Sequence, residues 1–155
     1  MILLDTHGEV LNRFLVEVFN EILKTEEQAL IGKWPDLTIR EFHLIEEVCR
    51  AVDEGRDNRA TAIAAAQRVT AGTLTTAVNL LEKKGYLERR RDGNDRRAVR
   101  IHPTETGRLA NEDHREFHRE MVEDVLSILN EEECRIFLHA LSGVSTFFRK
   151  KYSAE

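Results

Sequence analysis

The sequence predicts a mainly α-helical chain that contains one small β-hairpin, and three observations support this fold class. Apolar residues recur at helical spacing over most of the 155 residues. That pattern is interrupted once, where two alternating segments flank an Asp-Gly-Asn-Asp turn at residues 92–95. Broad apolar faces occur in the first and last predicted helices. This combination is typical of a winged helix-turn-helix whose terminal helices form a dimerisation region.

Most predicted elements carry their own start or stop signals. Thr38 and Glu41 have the spacing of a capping box, Thr70 is a suitable N-cap, and Gly85 is placed as a helix stop. A segment with Gly, Trp and Pro at residues 32–36 ends the first helical pattern. The predicted helices are 8–31, 38–54, 59–67, 70–84, 104–129 and 130–151, and the predicted strands are 86–91 and 98–102.

Charge is distributed unevenly along the chain. Residues 59–100 carry 10 Lys/Arg and 4 Asp/Glu, a net charge of +6, whereas residues 1–58 and 101–155 have net charges of −7 and −4. A basic block between two acidic ones indicates a local nucleic-acid-binding site. No stretch approaches the ~20 apolar residues of a membrane span, and the N-terminus lacks a basic signal region. We therefore expect a cytoplasmic protein without a membrane partner.

The helix predicted at 70–84 has the properties of a helix that enters a DNA groove. Leu74, Val78 and Leu81 form its apolar face, and the opposite face carries small polar groups and no acid. Asn79 has the geometry for a bidentate contact with adenine, and threonines suit thymine methyls or phosphates. A merely solvated polar face is the alternative. The candidate DNA-binding residues of this helix and the preceding one are Arg59, Thr61, Thr70, Gly72, Thr73, Thr75, Thr76, Asn79 and Lys83.

The hairpin that follows is rich in arginine. Residues 86–100 carry six Arg against three acids, a net charge of +3. Arginine suits phosphate oxygens and the negative potential of a narrow minor groove. Some of these side chains are expected to be solvated, and Arg89 is alternatively a support for the wing. The candidate DNA-binding residues of the hairpin are Arg89, Asp95, Arg96 and Arg97.

We interpret the whole chain, residues 1–155, as one winged-helix regulator. Residues 37–103 are the predicted DNA-binding lobe, and residues 1–36 and 104–155 supply the predicted dimerisation helices. The first helix has a wide apolar stripe, which predicts burial against a second chain, although packing on its own domain remains an alternative. A dimer of this kind reads a palindromic double-stranded DNA operator, with half-sites about 34 Å apart.

The segment Val69–Arg108 resembles the MarR family of bacterial winged-helix regulators. The resemblance includes Leu-Glu-Lys-Lys-Gly-Tyr-Leu-Glu-Arg at 81–89, Asp-Arg-Arg-Ala at 95–98 and Pro-Thr-Glu-Thr-Gly at 103–107. It implies that Arg97 enters the minor groove, braced by Asp95. Pro103 departs from the family pattern, which usually has Leu at that position.

Three other segments are similar to the subgroup that represses fatty-acid biosynthesis genes. They are Leu37–Val48, Gly72–Arg89 and His114–Leu126. This resemblance implies a dimeric repressor that responds to an acyl-chain ligand. Its partner would be acyl-acyl carrier protein or a small hydrophobic effector, held in a cavity between the dimer region and the DNA-binding lobe.

The histidines leave a second regulator open. His114 and His118 lie four residues apart on one helix, and His43 belongs to the second helix. Zinc-responsive members of the resembled family place a metal site in that region. The alternative is therefore a zinc-responsive regulator that uses His43, His114 and His118, with Glu26, Glu27 or Glu41 as a further ligand. Otherwise these are histidines near the ligand pocket, with no bound metal or cofactor.

No motif of an enzyme is present in the sequence. The chain has no G-x-S-x-G, P-loop, H-E-x-x-H or dinucleotide fingerprint. We therefore expect no catalytic residues and no cofactor. The expected function is sequence-specific transcription regulation, and a protein-interaction module that does not bind DNA is the other alternative.

Overall fold

The structure, a computed structural model, describes residues 2–152 and the side chains of residues 7–152. It confirms the predicted order of helices and strands. The first helix begins at Ile2, so the predicted start at Gly8 is wrong, because Gly8 is accommodated within the helix. The elements are α1 (Ile2–Ile31), α2 (Ile39–Asp53), α3 (Ala60–Gln67), α4 (Ala71–Lys84), β1 (Leu87–Arg91), β2 (Val99–Pro103), α5 (Glu105–Ser127) and α6 (Glu131–Tyr152).

The chain forms two compact units, the first ending at Arg115 and the second beginning at Glu116, within α5. The hydrophobic core of the first unit joins α2, α3, α4 and the hairpin. The predicted apolar face of α4 is confirmed, because Leu74, Val78 and Leu81 are buried in this core. Among its other large buried side chains are Phe42, Ile45, Val48, Ile63, Leu87 and Ile101.

The first turn of α2 holds the end of α4. The backbone N–H of Thr38 donates to Glu41 Oε2 at 2.8 Å, and Glu41 N–H donates to the Thr38 hydroxyl at 3.3 Å, which confirms the predicted capping box. Lys84 Nζ donates to Glu41 Oε1 at 2.8 Å and to the Asp36 carbonyl at 2.5 Å. The Tyr86 hydroxyl donates to Asp36 Oδ1 at 2.7 Å. The start of α2 and the end of α4 are therefore fixed together.

The two strands form an antiparallel hairpin. Leu87 lies opposite Pro103, and Arg91 lies opposite Val99. The backbone N–H of Asp92 donates to the Ala98 carbonyl at 3.0 Å, which closes the loop at the tip. The predicted β-hairpin is confirmed.

The start of α5 packs directly against the chain between α4 and β1. Gly85 ends α4 with φ of 87°, a conformation that glycine adopts without a steric cost. Thr104 N–H then donates to the Tyr86 carbonyl at 3.0 Å, and the Thr104 hydroxyl donates to the Gly85 carbonyl at 2.6 Å. A Cβ atom on Gly107 would lie 2.1 Å from the Tyr86 carbonyl oxygen. Only glycine therefore allows this approach.

Trp34, the one tryptophan of the chain, lies beside the same junction. Its Nε1 donates to Asp113 Oδ2 of α5 at 2.8 Å, and Lys33 Nζ donates to Asp113 Oδ1 at 2.9 Å. The Trp34 ring meets the Tyr86 ring edge to face, with centroids 5.8 Å apart. The α1–α2 connection is thereby attached to α5 and to the start of the wing.

The second unit contains the end of α5 and all of α6. Glu133 N–H donates to Asn130 Oδ1 and Asn130 N–H donates to Glu133 Oε2, both at 2.9 Å, so the predicted start of the last helix is confirmed. No residue of α6 is buried in the single chain. Its exposed large apolar side chains are Ile136, Leu138, Leu141, Val144, Phe147, Phe148 and Tyr152.

Helix α1 also exposes an apolar stripe. Between His7 and Thr25 every described side chain is exposed in the single chain. The stripe consists of Val10, Leu11, Phe14, Leu15, Val18, Phe19, Ile22 and Leu23.

None of the described helices has the length and hydropathy needed to cross a membrane. Neither Cys49 nor Cys134 forms a disulfide, and burial raises the pKa of the Cys49 thiol to about 11.

Gly107→Ala is expected to lower the free energy of unfolding by about 1–3 kcal/mol, because the new methyl group collides with the Tyr86 carbonyl. Urea denaturation followed by Trp34 fluorescence at fixed protein concentration measures this change. Gly72→Ala is the matched control, since a Cβ there meets nothing within 4 Å and a helix favours Ala over Gly. Equal stability of the Gly107→Ala variant and the wild type would contradict the described packing.

Candidate nucleic-acid interface

A tight turn connects the two helices of the predicted helix-turn-helix. Helix α3 ends at Arg68, which adopts a left-handed conformation with φ of 53°. Arg68 N–H donates to the Ala65 carbonyl at 3.1 Å, and Val69 N–H donates to the Ala64 carbonyl at 3.0 Å. Thr70 then caps α4, because its hydroxyl accepts from Thr73 N–H at 3.2 Å. The predicted N-cap is confirmed.

The predicted polar face of α4 is open to solvent. The side chains of Asn79 and Thr75 make no hydrogen bond within the described part of the chain. The Thr76 hydroxyl donates to the Gly72 carbonyl at 3.1 Å, and the Thr70 hydroxyl donates to that of Thr73 at 2.9 Å. The exposed predicted residues of this face are Thr70, Gly72, Thr73, Thr75, Thr76, Asn79 and Lys83. The helix therefore presents small groups with free hydrogen-bonding capacity, as reading base edges requires.

Leu80 is an exposed apolar residue on α4 that the sequence analysis did not identify. It is 46% exposed and lies next to Asn79. An apolar side chain on such a helix suits the methyl group of thymine. The sequence could have identified Leu80. It does not follow the helical spacing of Leu74, Val78 and Leu81, and so it lies outside their buried face.

The tip of the hairpin carries its outward-facing arginines. Arg97 N–H donates to Asp95 Oδ1 at 3.0 Å, so the Asp95 carboxylate holds the backbone before the final strand. Asp95, Arg96 and Arg97 are exposed. The guanidinium groups of Arg91, Arg96 and Arg97 make no hydrogen bond or ion pair within the described region. These three cations are thus available to an external anion.

The other arginines of this region are paired with acids. Arg89 donates from its backbone N–H to Glu82 Oε1 at 2.9 Å, and its Nη1 contacts Glu82 Oε2, which attaches β1 to α4. Arg90 contacts Glu88 on its own strand. Arg100 Nε donates to Asp92 Oδ2 at 2.7 Å. The geometry of Arg89 corresponds to the alternative of a side chain that supports the wing.

Arg59 and Thr61 are exposed at the start of α3. Arg59 is already engaged, since its Nε lies 3.0 Å from each Asp57 carboxylate oxygen and its Nη2 donates to Asp57 Oδ2 at 2.6 Å. These hydrogen bonds lower the pKa of Asp57 to about 2. A phosphate at this position would share Arg59 with Asp57. The Asp57 partner was detectable from its spacing, two residues before Arg59, whereas the Glu82–Arg89 pair depends on the fold.

Two histidines of the first unit, His43 and His114, lie beside one buried carboxylate. Glu26 and His114 are buried, and His114 Nε2 contacts Glu26 Oε1. His43 Nε2 lies 3.7 Å from the same oxygen, and the His43 and His114 rings have centroids 5.5 Å apart. His118 follows one helical turn after His114 on α5. A buried carboxylate with two imidazoles is a donor set that Zn²⁺ accepts.

A cavity of about 470 Å³ lies between α2 and α4, beside the turn that precedes α4. Four of its lining residues are apolar and come from both helices and the turn between α3 and α4. Arg40 and His43 supply polar groups from α2. The apolar lining residues are Leu44, Val69, Leu74 and Ala77, and the remaining polar ones are Gln67 and Thr73.

These features define a winged helix-turn-helix of the DNA-binding class, and comparison with known proteins gives the family. The MarR family model matches residues 36–98. Streptococcus pneumoniae FabT, whose crystal structure was determined in complex with DNA, is 35% identical with a TM-score of 0.83. The similarity covers 92% of this chain and 98% of that chain. The chain belongs to the MarR family, and it is a DNA-binding transcription regulator and not an enzyme.

Two further proteins are similar over part of the sequence or in fold. Staphylococcus aureus MepR, also determined with DNA, is 22% identical with a TM-score of 0.71, covering 88% of this chain and 95% of that chain. The Bacillus subtilis (strain 168) regulator YwhA, described as an uncharacterized HTH-type transcriptional regulator, is 42% identical over 71 residues. That match covers 46% of this chain and 51% of YwhA, about half the length of that relative.

Arg97→Ala is expected to weaken DNA binding and to reduce the slope of log K against log salt by about 1, because one cation that displaces counterions from the DNA is lost. Fluorescence anisotropy with a DNA fragment from the gene's own promoter region, measured over a salt series, tests this. Arg135→Ala is the charge-matched control, since Arg135 pairs with Glu132 on α6. An unchanged affinity and slope for Arg97→Ala would exclude Arg97 from the interface.

Proposed function

We propose that this protein is a homodimeric repressor of fatty-acid biosynthesis genes that binds a palindromic operator and responds to an acyl-chain ligand. The observation that carries the proposal is the 35% identity to FabT over nearly all of both chains. The resemblance of three segments to the fatty-acid repressor subgroup, given above, supports the same regulon. We infer a cytoplasmic location, where its DNA would be.

The DNA contacts of this proposal divide between the two grooves. The exposed face of α4, with Asn79 and Thr75, would lie in the major groove and contact base edges. Arg96 and Arg97 at the hairpin tip would lie along the minor groove, where a narrow groove attracts guanidinium groups. Arg59 and Thr61 would contact phosphates beside the N-terminus of α3. The other predicted residues of α4 and the hairpin would support these contacts; they are Thr70, Gly72, Thr73, Thr76, Lys83, Arg89 and Asp95.

The exposed apolar stripes support a homodimer. The apolar stripe of α1 contains eight large exposed side chains and α6 exposes seven, and surfaces of this kind mark interaction sites. A second copy of the chain is the partner that a palindromic operator requires. We therefore propose that residues 1–36 and 104–155 form the dimer and that residues 37–103 bind DNA.

Phe14→Glu on α1 is expected to convert the dimer to a monomer and to abolish operator binding, because it places a charge in the proposed apolar interface. Size-exclusion chromatography with light scattering measures the oligomeric state. Val16→Glu is the matched control on the same helix, since Val16 lies among the polar residues Glu9, Asn12, Arg13 and Glu17. A dimeric Phe14→Glu protein would place the interface elsewhere.

The cavity behind α4 is the proposed position for the acyl chain. Its apolar walls suit a hydrocarbon. Thr73, Leu74 and Ala77 belong to α4, the helix that is proposed to enter the major groove. An occupant would contact α2 and α4 together and so bias the position of α4. The protein would then have two arrangements that differ in the position of α4. The ligand changes DNA affinity only if it binds these two arrangements with different affinities.

The proposal is tested by measuring operator affinity with and without long-chain acyl-acyl carrier protein, on DNA from the host's fatty-acid biosynthesis promoters. We expect a change in affinity of about 5–150-fold, the usual range of allosteric coupling. Val69→Phe is expected to reduce this ratio, because the larger side chain fills the cavity. Ile31→Phe, an enlargement at an exposed position away from the cavity, is the control. Binding to these promoters without any acyl response would reject the effector.

A zinc-responsive regulator is the second candidate, favoured by the contacts of Glu26 with His43 and His114. These side chains would supply oxygen and nitrogen ligands, and the bound ion would fix α1 against α2 and α5. Adding zinc would then change operator affinity, and His43→Ala would remove that response. Stoichiometric zinc in the purified protein with no acyl response would replace the first proposal with this one.

A further inference from the structure

One arginine of the wing points back into the protein. The Arg100 side chain on β2 is 33% exposed, and three protein oxygens surround its guanidinium group. Nε donates to Asp92 Oδ2 at 2.7 Å, and Nη1 donates to Asn58 Oδ1 at 3.0 Å. Nη1 also lies 3.5 Å from Asp57 Oδ1. Arg100 therefore differs from Arg91, Arg96 and Arg97, whose guanidinium groups face outward.

The partners of Arg100 come from two separate segments. Asp92 follows β1 in the hairpin loop, where backbone N–H donation from Asn94 and the hydrogen bond from Arg100 lower the pKa of its carboxyl group. Asp57 and Asn58 belong to the loop that precedes α3. One guanidinium group thus connects the distal end of the hairpin to the start of the helix-turn-helix.

Asn58 gives this connection a rigid base. It is 5% exposed, its Nδ2 donates to the Ile101 carbonyl at 2.8 Å, and Ile101 N–H donates to the Asn58 carbonyl at 2.9 Å. Arg59 and Arg100 form a further antiparallel bridge. The loop before α3 therefore pairs with β2 along its free edge. Because an isolated two-stranded hairpin is only marginally stable, its orientation depends on contacts of this kind.

We propose that Arg100 is a positioning residue that Asp92 and Asn58 hold in place, and that it fixes the angle of the wing against α3 without contacting DNA. It would thereby set where Arg96 and Arg97 meet the minor groove. This inference rests on the proposed contact between the wing tip and DNA. It adds a residue whose contribution to affinity passes through the geometry of the hairpin.

Two possible roles of Asp92, the partner of Arg100, predict opposite effects of Asp92→Asn on operator affinity. If Asp92 is only an acid close to DNA, Asp92→Asn removes repulsion from the phosphates and tightens binding. If Asp92 holds Arg100, the same substitution weakens binding even though a negative charge is lost. The sign of the change in operator affinity therefore distinguishes an Asp92 that holds Arg100 from one that only repels the phosphates.

The experiment measures operator affinity of the full-length protein for Asp92→Asn, Arg100→Gln and the double variant. We expect each single variant to lose about three- to tenfold, corresponding to one charge-assisted hydrogen bond at a partly exposed site. The double variant should be no weaker than the weaker single variant, because both substitutions break one interaction. Tighter binding by Asp92→Asn, or losses that multiply in the double variant, would overturn the proposal.

Two further variants serve as controls. Arg100→Lys keeps the charge but lacks the planar fork, so positioning predicts that it stays weak, whereas a simple phosphate contact would be largely retained. Asn79→Ala on α4 should combine with Asp92→Asn multiplicatively, because Asn79 lies outside the hairpin whose angle Arg100 would fix. Melting temperatures close to that of the wild type show that each variant is folded. If Arg97→Ala weakens binding while Asp92→Asn tightens it, this inference fails and the proposed wing contact stands.

Discussion

The close approach of Gly107 to the Tyr86 carbonyl is the contact on which the arrangement of α4, the hairpin and α5 depends. Three elements meet there, since α4 ends at Gly85, the wing begins after Tyr86, and α5 begins after Thr104. Thr104 satisfies the carbonyls of Gly85 and Tyr86 and also accepts from Gly107 N–H at 3.1 Å. The end of α4, the start of the hairpin and the start of α5 are therefore held together at one point by these short contacts.

The wing combines many arginines with a small external charge. Glu82, Glu88 and Asp92 each pair with one arginine, so the guanidinium groups of Arg89, Arg90 and Arg100 are engaged within the protein. The cations that remain available are those near the tip of the hairpin. Since unspecific attraction to DNA increases with the number of free cations, this pairing concentrates the positive charge where shape and base sequence can be read.

The helices, the hairpin and the outward face of α4 were predictable because they follow from local rules. Helical spacing placed Leu74, Val78 and Leu81 on one buried face, and the capping residues Thr38 and Thr70 marked helix starts. The start of α1 was predicted too late because Gly8 lies inside that helix. The supporting role of Arg89 was one of two alternatives in the sequence, but the partners of Arg89 and Arg100 were not predictable, since strand pairing and the packing of separate segments bring them near.

The position of Trp34 gives the molecule an intrinsic optical probe. Its indole contacts the ring of Tyr86 at the start of the wing and donates to Asp113 on α5. Indole emission depends on the polarity and hydrogen bonding around the ring, and the chain contains no second tryptophan to obscure it. A rearrangement at the junction of α4, the wing and α5 would therefore change the emission wavelength or the intensity of the intrinsic Trp34 fluorescence. No attached label would be needed.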